Sequence, residues 1–190
     1  GDNAILKTAR VLTWMQKRLF PKLADRRHPY LPPATLNVGK IQGGLQWNVV
    51  PDYCKVEMDR RLLPGETREA AMDEIRELLD EYDTAVEPLK YELFSTGKVA
   101  QNINTDPDEP FVQCAKMALQ DVTSRARELT GYVQTSDGRW FAGDGFPIII
   151  FGPSDPAVGH ATDEHVSIDQ LVEATKFLTL LAVRWLQGSK

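Results

Sequence analysis

The chain has 190 residues, 42% hydrophobic and 26% charged, the composition of a folded protein with room for one ordinary domain or two small ones and a real core. Its net charge of −5 comes from 22 basic and 27 acidic residues interspersed along the sequence. No basic stripe is therefore available to displace counterions from a nucleic acid, and no apolar run approaches the length of a membrane span.

The chain begins Gly1-Asp2-Asn3-Ala4, without a Met or a leader, and enters a helix at once, as a piece cut from a longer polypeptide would. Asn3 can cap that helix, whose apolar positions Ile5, Leu6, Ala9, Leu12 and Leu19 return at helical spacing and which should end before Pro21. The short basic cluster of Lys22, Arg26, Arg27 and His28 is interrupted by Asp25 and reads as a solvated connector, followed by a loop through Pro29, Pro32 and Pro33. A strand is expected over 35–41, with a turn or bulge at Gly43-Gly44. After Asn48-Val49-Val50-Pro51 the pattern alternates: Cys54, Val56, Met58 and Leu62 face one way, and Lys55, Glu57, Asp59 and Arg61 face solvent or a cleft. Pro64-Gly65 ends that strand. Thr67 caps the next helix, with Ala71, Ile75, Leu78, Leu79 and Tyr82 on one stripe and Glu66 and Glu69 at its dipole-favoured start. A further strand is expected over 89–95. Helix, two strands, helix, strand is a ferredoxin-like βαββαβ unit lacking only its opening strand.

Residues 97–105 are polar and turn-like, which suits a crossing between a first domain, 1–97, and a second, 98–190. Asp106-Pro107-Asp108-Glu109 offers an N-cap, a first-turn proline and a capping-box glutamate for a helix with Phe111, Ala115, Ala118, Val122 and Leu129 on its core face and Gly131 just past its end. A short helix is expected after 135–139. The last helix has a Ser167/Gln170 capping box and a stripe of Ile168, Leu171, Val172, Thr175, Leu178, Ala182 and Trp185. Cys54 and Cys114 stand far apart in no CxxC pairing and are expected as buried free thiols in a reducing compartment.

The segment 146–168 organises this second half. Its first six residues, FPIIIF, are an apolar run closed by Gly152 and Pro153, the pattern of a strand buried on both faces. That strand needs neighbours, and the sequence offers at best one, 132–134. The loop after it carries His160, with Asp155, Asp163, Glu164 and His165 nearby, and strand ends in α/β sheets are common sites of chemistry. Set against this, a lone loop histidine is usually just exposed, and it supplies at most one of the three or four ligands zinc needs.

Two stretches resemble a known family. GGLQWNVVPDYCKVEMDRRLLPGET is similar to the lid, or dimerisation, domain of the zinc-dependent amidohydrolases that include acetylornithine deacetylase, succinyl-diaminopimelate desuccinylase, aminoacylase and the carboxypeptidase G type enzymes. TSDGRWFAGDGFPIIIFGPSDPAVGHATDEHVSID resembles the closing part of their catalytic domain. The resemblance covers essentially the whole chain. It implies an α/β protein: an incomplete ferredoxin-like α+β lid, then the C-terminal piece of an α/β zinc-hydrolase domain.

By this resemblance the histidine of the GH-x-x-D-E loop, His160 here, is a zinc ligand; Asp163 and Glu164 are either loop acids or its support, and His165 lies outside the motif. Asn48 matches a lid residue that hydrogen-bonds substrate, and Arg61 a lid arginine whose planar fork holds a substrate carboxylate. A turn-stabilising role for Asn48 and an intrasheet pair of Arg61 with Asp59 or Glu57 are the plainer alternatives. Asp137 and Arg139 fall in a loop that borders the substrate pocket in the desuccinylase branch, or else form a local pair in a turn.

The family's site uses two zinc ions held by an H-x-D motif, a bridging aspartate and further carboxylates, with a glutamate as general base. These precede the lid, and no H-x-D occurs in this chain. The lid histidine should lie just before Gly1. The expectation is therefore a fragment of a cytoplasmic di-zinc enzyme that cleaves N-acyl amino acids or related amides, inactive alone, homodimeric through the lid, and missing its N-terminal catalytic half. The rival reading is a non-catalytic ferredoxin-like dimerisation or ligand-binding module.

Overall fold

The computed structural model describes residues 2–97, 102–159 and 161–188, apart from the side chain of 157. The chain divides into two compact units, Gly1–Val99 and Ala100–Lys190.

In the first unit, helix α1 (Ala4–Ala24) starts where Asn3 Oδ1 accepts the amide of Leu6 at 3.1 Å. The helix does not stop before Pro21. It runs through it to Ala24, because a proline in the last turn forfeits one amide bond while its own carbonyl still accepts Asp25 N at 3.0 Å. The buried stripe also differs from expectation: Val11, Met15, Leu19 and Leu23 lie inside at a strict spacing of four, whereas Ile5 and Leu6 are exposed. The apolar residues of α1 surround the helix, and contact with the sheet selects which of them are core.

Strands β1 (Thr35–Gly43) and β2 (Cys54–Arg61) pair antiparallel, with Leu36 opposite Arg60 and Ile41 opposite Val56. The bulge falls between Val38 and Lys40, at Gly39, and Gly44 at φ +78° turns the chain out of β1. Helix α2 (Arg68–Ala85) is capped by Thr67 Oγ1, which accepts Ala70 N at 3.1 Å, and buries Ala71, Ile75, Leu78, Leu79 and Tyr82, the stripe read from the sequence. These faces meet in one core. Trp14 stands edge-on to Tyr82 at 5.7 Å, with the Arg18 guanidinium 3.8 Å above the indole.

Residues 89–95 form no strand. Leu89, Tyr91 and Leu93 pack on the core and their neighbours face out, so the period-2 pattern is present while the ladder is not. The sheet described is two-stranded and the class is α/β, without the third strand of the ferredoxin-like description.

In the second unit, α3 (Pro110–Thr123) begins three residues later than the sequence suggests. Asp106 caps a turn instead, its Oδ1 accepting Asp108 N at 2.9 Å, and Pro110 takes the first helical position. Ser124, left-handed at φ +56°, ends the helix well before Leu129 and Gly131. Helix α4 (Ile168–Gly188) packs on α3 through Phe177 and Leu181 against Ala115 and Ala118. The FPIIIF run is not a strand and is only half-buried to exposed; Phe151 stacks on Phe177 at a centroid distance of 4.2 Å. Residues 132–134 likewise form no strand. Among the described residues no helix is long and apolar enough to cross a membrane.

Candidate functional site

In the first unit the candidate residues sit on the β1–β2 hairpin. Asn48 is exposed in the turn closed by Val49 N on Gln46 O at 3.2 Å. Beside it lies a cleft of about 410 Å³, lined by Asn3, Ile5, Gly43, Gly44, Trp47 and Pro51 among others, with Ala4 N tied to Pro51 O at 2.9 Å across its base. Trp47 and Leu45 are almost fully exposed, at 98% and 90%. The sequence reading passed over them because it weighed only the polar residue of the turn.

Arg61 projects from the solvent face of β2, as its place in the alternation requires. Its Nε donates to Asp59 Oδ2 at 2.8 Å, so the intrasheet pair exists, but that bond does not occupy the two Nη groups. Arg60, its neighbour, lies on the opposite face with Cys54, Val56 and Met58, and its side chain is only 9% exposed. Arg60 Nη2 donates to Glu66 Oε1 at 2.9 Å, and Glu66 also receives Arg26 and, through Oε2, the amide of Leu63 at 2.7 Å. Arg26 further donates to Glu74 at 2.5 Å, so it is no solvated connector residue. Of the two adjacent arginines, Arg60 is thus committed to structure and Arg61 is available to a ligand.

In the second unit Asp137 and Arg139 lie within a single 3-10 turn, Asp137–Trp140, capped by Ser136 Oγ, which accepts Gly138 N at 3.1 Å. A Cβ on Gly138 would come within 2.9 Å of Ile103 and 3.1 Å of Ile148, so only glycine lets this turn seat on the apolar run. The two charged residues do not pair: Asp137 is exposed, while the Arg139 guanidinium lies 4.8 Å from the Trp140 ring centre with its Nε buried and unpartnered. An orphaned guanidinium nitrogen is costly unless something completes it.

His160 lies outside the described residues. Around it, Asp163 and His165 are exposed, with His165 Nδ1 2.8 Å from the Asp163 carbonyl, which assigns the ring proton to Nδ1. Among the described residues no group of three His, Cys, Asp or Glu side chains could hold a metal ion. Those residues do not by themselves fit a zinc site. Gln170 does not complete a capping box either, since its Oε1 accepts the amide of Ser154 at 3.1 Å. Cys54 and Cys114 are free thiols, half-buried.

Residues 1–86 match the family model of the M20 peptidase dimerisation domain. These residues are similar to that domain. The chain is 24% identical to the N-formyl-4-amino-5-aminomethyl-2-methylpyrimidine deformylase of Bacillus subtilis over all of this chain and 48% of that protein. It is 28% identical to the succinyl-diaminopimelate desuccinylase of Marinobacter nauticus over 90% of this chain and 42% of that enzyme, and 26% identical to the acetylornithine deacetylase of Myxococcus xanthus over 99% and 48%. The chain spans less than half the length of these curated relatives.

Proposed function

We propose that this chain is the lid and the C-terminal catalytic part of an M20 amidohydrolase that removes an acyl group from the nitrogen of an amino acid or similar amine. The observation that carries this is the collinear match of nearly the whole chain to three enzymes whose names describe deformylation, desuccinylation and deacetylation. On this reading residues 1–97 are a lid, which joins two copies, and 98–190 belong to the catalytic domain of a cytoplasmic enzyme.

Asn48 and Arg61 would hold the substrate's carboxylate side. An exposed guanidinium with its Nη groups unspent supports that role, because the planar fork accepts a carboxylate bidentately. Arg139, with an unsatisfied Nε, and Asp137 would border the pocket. His160 would be a zinc ligand. On this reading the other ligands and the general base would be supplied from outside this chain, and the chain alone would not turn over substrate.

Helix α4 supports the incompleteness. Beside and opposite its buried Ala174, Phe177 and Leu181, the residues Ile168, Leu171, Val172, Leu178, Val183 and Leu186 are exposed and uncharged. A second layer of protein is the ordinary cover for such residues.

Elemental analysis for zinc, paired with hydrolysis of N-formyl, N-acetyl and N-succinyl amino acids, tests the reading. Absence of tight zinc and of turnover is expected for this chain. Stoichiometric zinc with turnover that His160→Ala abolishes would overturn it, and metal-free binding of a ligand would favour the non-catalytic module instead.

A further inference from the structure

The connection between β1 and β2 carries an aromatic side chain that the fold does not use. Trp47 is 98% exposed, although tryptophan has more apolar surface to hide than any other residue, and Leu45 beside it is 90% exposed. The cleft they border is held in shape from two sides. A Cβ on Gly43 would lie 3.0 Å from Ile5 Cγ1 and 3.0 Å from the Tyr53 carbonyl, so only glycine lets the first turn of α1 come this close to the end of β1. The Ala4 amide, on the Pro51 carbonyl at 2.9 Å, ties the same turn to the other end of the connection.

The lining of this space decides what it can take. Asn3 spends its Oδ1 on the Leu6 amide, and apart from Gln46 the remaining side chains, Ile5, Leu45, Trp47, Val49 and Pro51, are apolar. Among the described residues no charged side chain lines it. Its volume of about 410 Å³ falls within the range of about 300–1,000 Å³ in which small molecules bind. Such a cleft does not select by charge; it selects by apolar area and by stacking on the indole. Trp47 and Asn48 are consecutive, with Cα atoms about 3.8 Å apart, so a ligand held at Asn48 has its neighbouring groups within reach of the ring.

We propose that Trp47 is a specificity-determining residue, whose ring and the cleft it walls receive the aromatic side chain of an N-acyl amino acid. This rests on the reading above that Asn48 and Arg61 hold the substrate's carboxylate side. A small or charged side chain gains nothing in the cleft, so N-acyl derivatives of aromatic amino acids are the preferred substrate class.

The test uses the whole 190-residue chain, metal-free. The indole N–H signals of Trp14, Trp47, Trp140 and Trp185 are assigned by single Trp→Phe changes and followed in titrations with N-acetylphenylalanine, its amide, and N-acetylalanine. Both phenylalanine compounds should shift the Trp47 signal alone, saturably, with an affinity about tenfold above that of N-acetylalanine, and Trp47→Ala should abolish that preference in ligand-observed spectra. Because the side chain is exposed, Trp47→Ala should leave the melting temperature unchanged, which separates lost selectivity from lost fold. Equal affinity for N-acetylalanine, an unsaturable shift of all four indoles, or a preference that survives Trp47→Ala would overturn the proposal. So would a Trp47 shift driven by protein concentration alone, which would put a second copy over the cleft. Arg61→Ala distinguishes this inference from the reading beneath it, since it should weaken the acid and not the amide. An acid unaffected by Arg61→Ala, with the Trp47 shift retained, would sink the carboxylate role and leave the aromatic cleft standing.

Discussion

The hydroxyl of Thr105 serves both backbone polar groups of Ile148: Oγ1 accepts the Ile148 amide at 2.9 Å and donates to the Ile148 carbonyl at 2.6 Å. One side chain thus does at this residue what a neighbouring strand would do along the whole run. It ties the apolar segment down beside the Gly138 turn without a ladder. Thr105→Val keeps the shape, removes both bonds and leaves two half-buried groups unpaired, at a cost of about 1–3 kcal/mol. Thr105→Ser should retain most of the stability. Urea unfolding monitored by circular dichroism, with an unchanged slope, checks both.

The adjacent arginines of β2 should separate cleanly in stability. Glu66→Ala removes the nearest carboxylate from the nearly buried Arg60 guanidinium, together with one of the two acceptors of Arg26 and the acceptor of the Leu63 amide, so a loss of about 2–4 kcal/mol is expected. Arg61→Ala removes a pair in which both partners are more than half exposed, and should change stability by less than about 0.5 kcal/mol. A comparable loss at Arg61 would mean that it, too, is structural.

Glu87 predicts an acid-side loss of stability. Hydrogen bonds from Arg10, at 2.6 and 3.0 Å, and then from the Tyr82 hydroxyl, at 2.5 Å, hold its carboxyl down at about 2. A carboxylate depressed in the folded state contributes stability above its unfolded pKa of about 4.3 and loses it as pH falls toward the folded value. The melting temperature should therefore drop between pH about 4.5 and about 2, and Arg10→Ala should flatten that drop. A profile identical in the variant would refute the linkage.

Neighbouring positions on α4 should respond in opposite ways. Phe177 is 1% exposed, packed on Ala115, Ala118 and Phe151, and Phe177→Ala should cost about 3–5 kcal/mol. Leu178 is 55% exposed, so Leu178→Glu should leave the melting temperature nearly unchanged while reducing dye binding and self-association. Sedimentation and fluorescence of an apolar dye measure the second effect.

Much of the first unit was legible because its signals are local. The Thr67 cap and the α2 stripe stand as read, and β2 runs from Cys54 to Arg61 with its polar residues outward. Arg60 broke the alternation only in chemistry: it follows the apolar parity, and the acids that satisfy it come from elsewhere in the chain, which no period can reveal. The candidate site was legible chiefly through motif resemblance. Asn48 and Arg61 were singled out as candidates that way, whereas the exposed Trp47 beside the cleft and the positive φ of Ser154 were not, since exposure and backbone angle have no one-residue signature.

The sequence by itself determined where helices α1, α2 and α4 begin, that strands lie near 35–41 and 54–61, and which enzymes the chain resembles, because caps, period and motifs are properties of short segments. Tertiary structure decided which face of α1 is core, why Pro21 is tolerated, where α3 starts, and that 89–95 and 146–151 do not become strands. A strand requires a hydrogen-bonding neighbour, and a helix with apolar residues all around requires a surface to choose among them; both are supplied by residues distant in sequence.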